Sequence, residues 1–153
     1  MNSIFKYWNY AKPTFIGRKI FSLLIGFYVP YSGSVSPYIE ELSKGSATLS
    51  INEKWFIRNH LKSVHAIALA NIGELSSGLA MLAALPSNSR GIVKSLKIDY
   101  LKKARGKITV KGTAPEILEL KENVEKVALA EMFDSSNELV ARMEVYWQVG
   151  PKE

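Results

Sequence analysis

The chain has 153 residues, 47% of them hydrophobic and 22% charged, the make-up of one globular unit with a single core; disordered and fibrous classes are excluded. There is no cysteine, which excludes disulfides, thiolate nucleophiles and cysteine-held zinc or iron–sulfur sites and makes a reducing cytoplasm the expected setting. The net charge of +6 favours acidic partners, but the lysines and arginines are scattered, so nucleic acid is not expected; a small phosphorylated ligand, or a basic surface that only keeps the protein soluble, accounts for the charge.

Two helical pieces are predicted first, Asn2–Ala11 and Phe15–Tyr28. They are divided at Lys12–Pro13–Thr14, because proline disfavours helix in the residue before it. The apolar run Ile20–Val29 is far shorter than the ~20 residues of a membrane-spanning helix. It also lacks the layout of a signal peptide, since Trp8, Tyr10 and Phe15 precede Arg18 and Lys19. Residues 1–33 are therefore expected to form an amphipathic arm packed on the domain or on a neighbouring subunit, with shallow membrane contact as the alternative. Pro30–Pro37 is rich in turn residues and leads into the main domain, residues 34–153. Strands follow at Tyr38–Leu42 and Ser46–Ile51, around a Lys44–Gly45 turn.

Val64–Leu85 is apolar for some twenty residues and reads as a helix buried on nearly every side, ended by Pro86. The pattern then changes period. Ile92–Leu101, Gly106–Thr113, Val124–Phe133 and Leu139–Val149 read as strands, with a hairpin over Tyr100–Gly106, a loop over Ala114–Asn123 and a turn over Asp134–Asn137. Two strands, one buried helix and four more strands make an α+β plan. Its economical form is a curved antiparallel sheet wrapped around the long helix, which is the hotdog fold.

Chemistry concentrates on that helix and the residues before it. Glu74 falls mid-helix among apolar residues, where an unpaired carboxylate is costly and needs a polar cavity, a partner or a function. Asn71 and Gly78 lie on its face, three before and four after, and complete a narrow stripe along which a ligand has room to approach. His65 precedes Glu74 by nine residues, half a turn out of phase and about 13 Å along the axis. A site that uses both groups must draw them from different chains, as an isologous dimer does in duplicate. At the helix start the N–H groups of Ala66 and Ile67 have no partners inside the helix, and with the helix dipole behind them they favour negative charge. Asn59 and His65 sit where cap and turn residues are common, and Ser76 and Ser77 read as packing residues. No serine elbow and no metal-ligand spacing involves either histidine, His60 or His65.

The stretch Arg58–Glu74 (RNHLKSVHAIALANIGE) resembles the signature of hotdog-fold thioesterases of the phenylacetate-pathway type. More narrowly, the chain resembles an uncharacterised bacterial hotdog family (DUF4442-like), through Gly17–Ser22, Pro30–Tyr31, Glu41–Gly45 and Tyr100–Gly106. The resemblance implies hydrolysis of acyl-CoA or acyl-carrier thioesters, with coenzyme A present only as part of the substrate and no other cofactor or metal. It implies a homo-oligomer, a dimer or a dimer of dimers. It places a substrate-orienting asparagine at Asn59, a His-Gly-Gly turn at His65–Ala66–Ile67 and a catalytic carboxylate at Glu74. Ala66 and Ile67 depart from the glycines of that turn, and a module that binds acyl groups without hydrolysing them is the competing expectation; a hotdog dehydratase ranks last. Lys102, Lys103 and Arg105 are candidates for the phosphates of coenzyme A, against a plain solvated turn.

Overall fold

Period-two alternation builds the sheet, as a computed structural model that describes residues 3–152 makes plain. Strands β1 (Tyr38–Ser43), β2 (Ser46–Asn52), β3 (Ser89–Tyr100), β4 (Lys107–Thr113), β5 (Val124–Phe133) and β6 (Leu139–Pro151) form one antiparallel sheet in the order β1-β2-β4-β5-β6-β3. Inward positions repeat every second residue: Ala47, Leu49 and Ile51 on β2, Ile108 and Val110 on β4, Ala128, Ala130 and Met132 on β5. Against them lies one long helix, α4 (Ala66–Ala84), whose residues are buried on nearly every side. This is the hotdog arrangement. By length and hydropathy alone α4 would suffice to cross a membrane, but two thirds of it is buried inside the protein, as befits a core helix.

Small residues let helix and sheet approach to backbone contact. A Cβ added at Gly112 of β4 would collide with the Ser76 carbonyl, and one at Gly73 would collide with the Met132 methyl on β5 and stand 2.8 Å from Met143 Sδ on β6. Ser76 fits this packing, its hydroxyl donating to Ala47 O at 3.2 Å.

The arm comprises α1 (Ser3–Ala11) and α2 (Phe15–Tyr28); Asn2, where the first helix was expected to begin, lies outside the described residues. Thr14 caps α2 by accepting the Gly17 N–H. Trp8 and Phe21 are buried, their rings 5.2 Å apart, and join the arm to the main core. Ser22 Oγ accepts the Ile39 N–H at 2.8 Å, so α2 covers part of the edge strand β1.

One local expectation is corrected, and two further local features were not predicted. Pro30–Gly33 is one helical turn, α3, that crosses α2 at a Gly26–Gly33 contact with no room for a side chain. The segment before α4 holds a 3-10 turn at Trp55–Ile57. Residues 101–106 form no hairpin, because β3 pairs with β6 at one edge while β4 pairs with β2 and β5. The link spans three strand spacings, about 14 Å, which six extended residues reach with ease at ~3.3 Å each.

Candidate active site

The segment before α4 is held by a compact turn centred on Asn59. Its side-chain oxygen accepts the Leu61 N–H at 2.9 Å and the Ser63 N–H and hydroxyl at 3.2 Å. The turn closes through Asn59 N–H to Ser63 O, and Lys62 takes a left-handed backbone (φ 55°). Glu53 anchors the same region. Its carboxylate accepts the Gly106 N–H at 2.6 Å and Arg58 Nε at 2.5 Å. The Gly106 bond first, then Arg58, hold this carboxyl below its ordinary range, against the opposing effect of burial.

The crossing link 101–106 runs beneath the start of α4, where Val64 N–H bonds to Ala104 O at 2.8 Å. Between them opens a cleft of about 350 Å³ lined by Asn59, Ser63, Ala66, Tyr100, Lys102 and Lys103. Sequence-predicted residues from two distant segments thus meet in one place. Lys102 also pairs with Glu138 at 2.7 Å. Arg105 stands beside the cleft and donates through Nε to Lys62 O at 3.3 Å. Tyr100, which sequence reasoning did not single out, donates its hydroxyl to Ala66 O at 2.9 Å, and partial burial raises its pKa. A phenol at the end of a strand carries no sequence signal of such a contact.

His65 is the N-cap of α4, and its Nδ1 accepts the Ile67 N–H at 3.1 Å. Of the two expected free donors, that of Ile67 is therefore engaged by the preceding side chain. A histidine that accepts through Nδ1 carries its proton on Nε2 when neutral.

Glu74 lies elsewhere in the chain, some two and a half turns along α4. It is partly buried and forms no ion pair among the described residues, and desolvation raises its pKa. Beside it, Gly78 faces the Trp147 indole of β6: a Cβ there would stand 3.4 Å from Trp147 Cζ2 and 3.9 Å from Glu74 Oε1. Trp147 is 6% exposed, and its buried Nε1 has no hydrogen-bond partner among the described residues. Trp147 is a second residue missed from sequence, because alternation places it inward without telling what it meets. Asn71 does not face this spot freely; its Nδ2 donates to Tyr31 O at 3.1 Å and ties α4 to α3. One chain thus carries two separate features, a helix-start cleft and a partly buried carboxyl. Among the described residues, no group of three His, Cys, Asp or Glu is placed to hold a metal ion.

Solved structures share this architecture. A structural-genomics protein, APC5556, is 29% identical with a TM-score of 0.77, over 86% of this chain and 88% of its own. A protein of unknown function from Pseudomonas aeruginosa is 22% identical (TM-score 0.74, 85% and 93% covered). A mutant of a thioesterase enzyme from Staphylococcus aureus is 14% identical (TM-score 0.69, 80% and 99% covered). At these low identities the last two show the fold. No curated protein matches. The family model of the domain of unknown function DUF4442 matches residues 17–149, and the chain belongs to that family.

Proposed function

We propose that the protein hydrolyses acyl-CoA-type thioesters at a site built from two copies of the chain: Asn59, His65 and Ala66 of one and Glu74 of the other. The observation that carries this reading is Glu74, a partly buried carboxyl on the core helix with a raised pKa and no ion pair among the described residues. A carboxyl raised in this way is suited to taking up and returning a proton. In the reaction Glu74 takes a proton from water as the water oxygen bonds to the thioester carbon. The Ala66 N–H and the Asn59 side-chain amide stabilise the charge that gathers on the carbonyl oxygen. The C–S bond then breaks, and the thiolate leaves with the proton Glu74 returns. Lys102 and Lys103 line the same cleft as Asn59 and Ala66, with Arg105 beside it, which supports their role in meeting the phosphates of coenzyme A. The shared fold with a thioesterase supports the reaction class.

The test is thiol release from an acyl-CoA panel. Glu74→Gln is expected to lower kcat by about 10²–10⁴-fold, the usual worth of a positioned general base, and full turnover in that variant would overturn the assignment. Mixing subunits tests the shared site. Combining Glu74→Gln with Asn59→Ala protein should restore about a quarter of wild-type activity, because half the mixed dimers' sites are intact; no recovery would place both groups in one chain's site.

One observation favours a second reading, a non-catalytic acyl-binding module: the Ile67 N–H is occupied by His65. Calorimetric binding of acyl-CoA without any thiol release would establish it.

A further inference from the structure

The outer face of the arm is unlike the rest of the surface. Ile16, Ile20, Leu23, Leu24, Phe27 and Tyr28 recur at helical spacing along α2, and all are more than half exposed, Phe27 at 88% and Tyr28 at 84%. The opposite face of α2, with Phe21 and Ser22, is the one that packs on the core. Tyr7 and Tyr10 of α1 extend the patch, 65% and 78% exposed, and an apolar groove of about 580 Å³ runs between the two helices. Contiguous exposed apolar surface of this kind marks an interaction site.

Charge identifies the partner. The first 39 residues carry Lys6, Lys12, Arg18 and Lys19 and no acidic residue, so they hold +4 of the net +6. Lys6, Lys12 and Lys19 are exposed. Helical spacing puts Lys19 beside Ile16 and Leu23, and Lys6 beside Tyr10, at the rim of the apolar stripe. A second copy docking through this face would set like charge against like. Exposed aliphatic side chains, flanking tyrosines and a ring of cations match the headgroup boundary of a negatively charged bilayer.

We propose that the arm docks the protein on an anionic lipid surface, with Leu23, Leu24 and Phe27 entering the acyl boundary and Lys12 and Lys19 meeting the headgroups. This does not depend on the thioesterase reading. The test uses the full chain and sedimentation with vesicles of phosphatidylcholine, alone or mixed with phosphatidylglycerol. Binding is expected to the mixed vesicles, weakening as salt is raised. The variants Leu24→Ser/Phe27→Ser and Lys12→Glu/Lys19→Glu should each lose about tenfold in partitioning. Because all four positions are exposed, thermal melts should stay unchanged. Equal binding to both vesicle types, undiminished binding by either variant, or no vesicle binding together with a smaller oligomer in the Leu24→Ser/Phe27→Ser variant would overturn the proposal.

Discussion

Replacing Gly78 by alanine separates packing from function at one position. A Cβ at Gly78 meets Trp147 Cζ2 at 3.4 Å and Cη2 at 3.6 Å, ordinary van der Waals distances, so the methyl enters without forcing the indole to move. Glycine within a helix costs about 1 kcal/mol relative to alanine, and the added buried methyl contributes up to ~0.8 kcal/mol more. The variant should be more stable by about 1 kcal/mol, a rise of about 2–4 °C in Tm for a domain of this size. The methyl would also stand 3.9 Å from Glu74 Oε1, inside the stripe assigned to the ligand. One carbon of lost room in an apolar site is worth ~1–3 kcal/mol, so kcat/KM should fall about tenfold or more even as the melt improves. Calorimetric melting beside acyl-CoA hydrolysis reads both effects. A lower Tm refutes the packing argument, and a higher Tm with unchanged kcat/KM removes Gly78 from the site. Gly112→Ala is the control on the facing strand: there the Cβ collides with the Ser76 backbone, which cannot give way as a side-chain tip can, and overpacking should cost about 1–3 kcal/mol.

Two further predictions concern pH. The Glu74 carboxyl is raised in the folded state, so its stabilising contribution is present below its unfolded pKa and lost as pH rises through the folded value. Glu74→Gln and wild type should therefore melt alike at low pH, with the variant the more stable above it. The acid limb of kcat/KM should lie above the ordinary carboxylate range. A Tm difference that shrinks as pH rises would contradict the sign. Glu53 is the opposite case: its lowered carboxyl gives stability that is present above the unfolded pKa and lost as pH falls through the folded one. Glu53→Gln should cost about 1 kcal/mol at neutral pH and nothing in strong acid, which denaturant melts at several pH values check.

The strands and the core helix were legible because each obeys one period over many residues, and the change of period after Pro86 separates them. The turns at Lys44–Gly45 and Asp134–Asn137 were legible too, but not every connection was. Six residues between two strands fit a hairpin and a crossing equally well, and the choice depended on β3 finding β6 as its neighbour, a contact between residues about fifty apart. The helical form of Pro30–Gly33, within a segment read only as turn-rich, was hidden for a similar reason, since it packs where two glycines allow helices to touch.

The candidate site was legible as a set of residues and less so as an arrangement. Spacing alone established that His65 and Glu74 cannot meet on one helix, and the structure agrees, with His65 at the cap and Glu74 two and a half turns along. Sequence could not say how His65 spends its ring nitrogens. With glycines in the turn, the two N–H groups after the histidine would stand open to a ligand. Here Nδ1 takes the Ile67 N–H, and exposed Ile67 stands beside it. If the chain is catalytic, a carbonyl binding at the helix start relies on the Ala66 N–H and the Asn59 amide unless the imidazole swings away. Asn59 is committed through its oxygen to Leu61 and Ser63, so its amide nitrogen is the polar atom these bonds leave over. The same turn therefore leaves a donor on a residue that lines the cleft, and structural and catalytic roles for Asn59 are compatible.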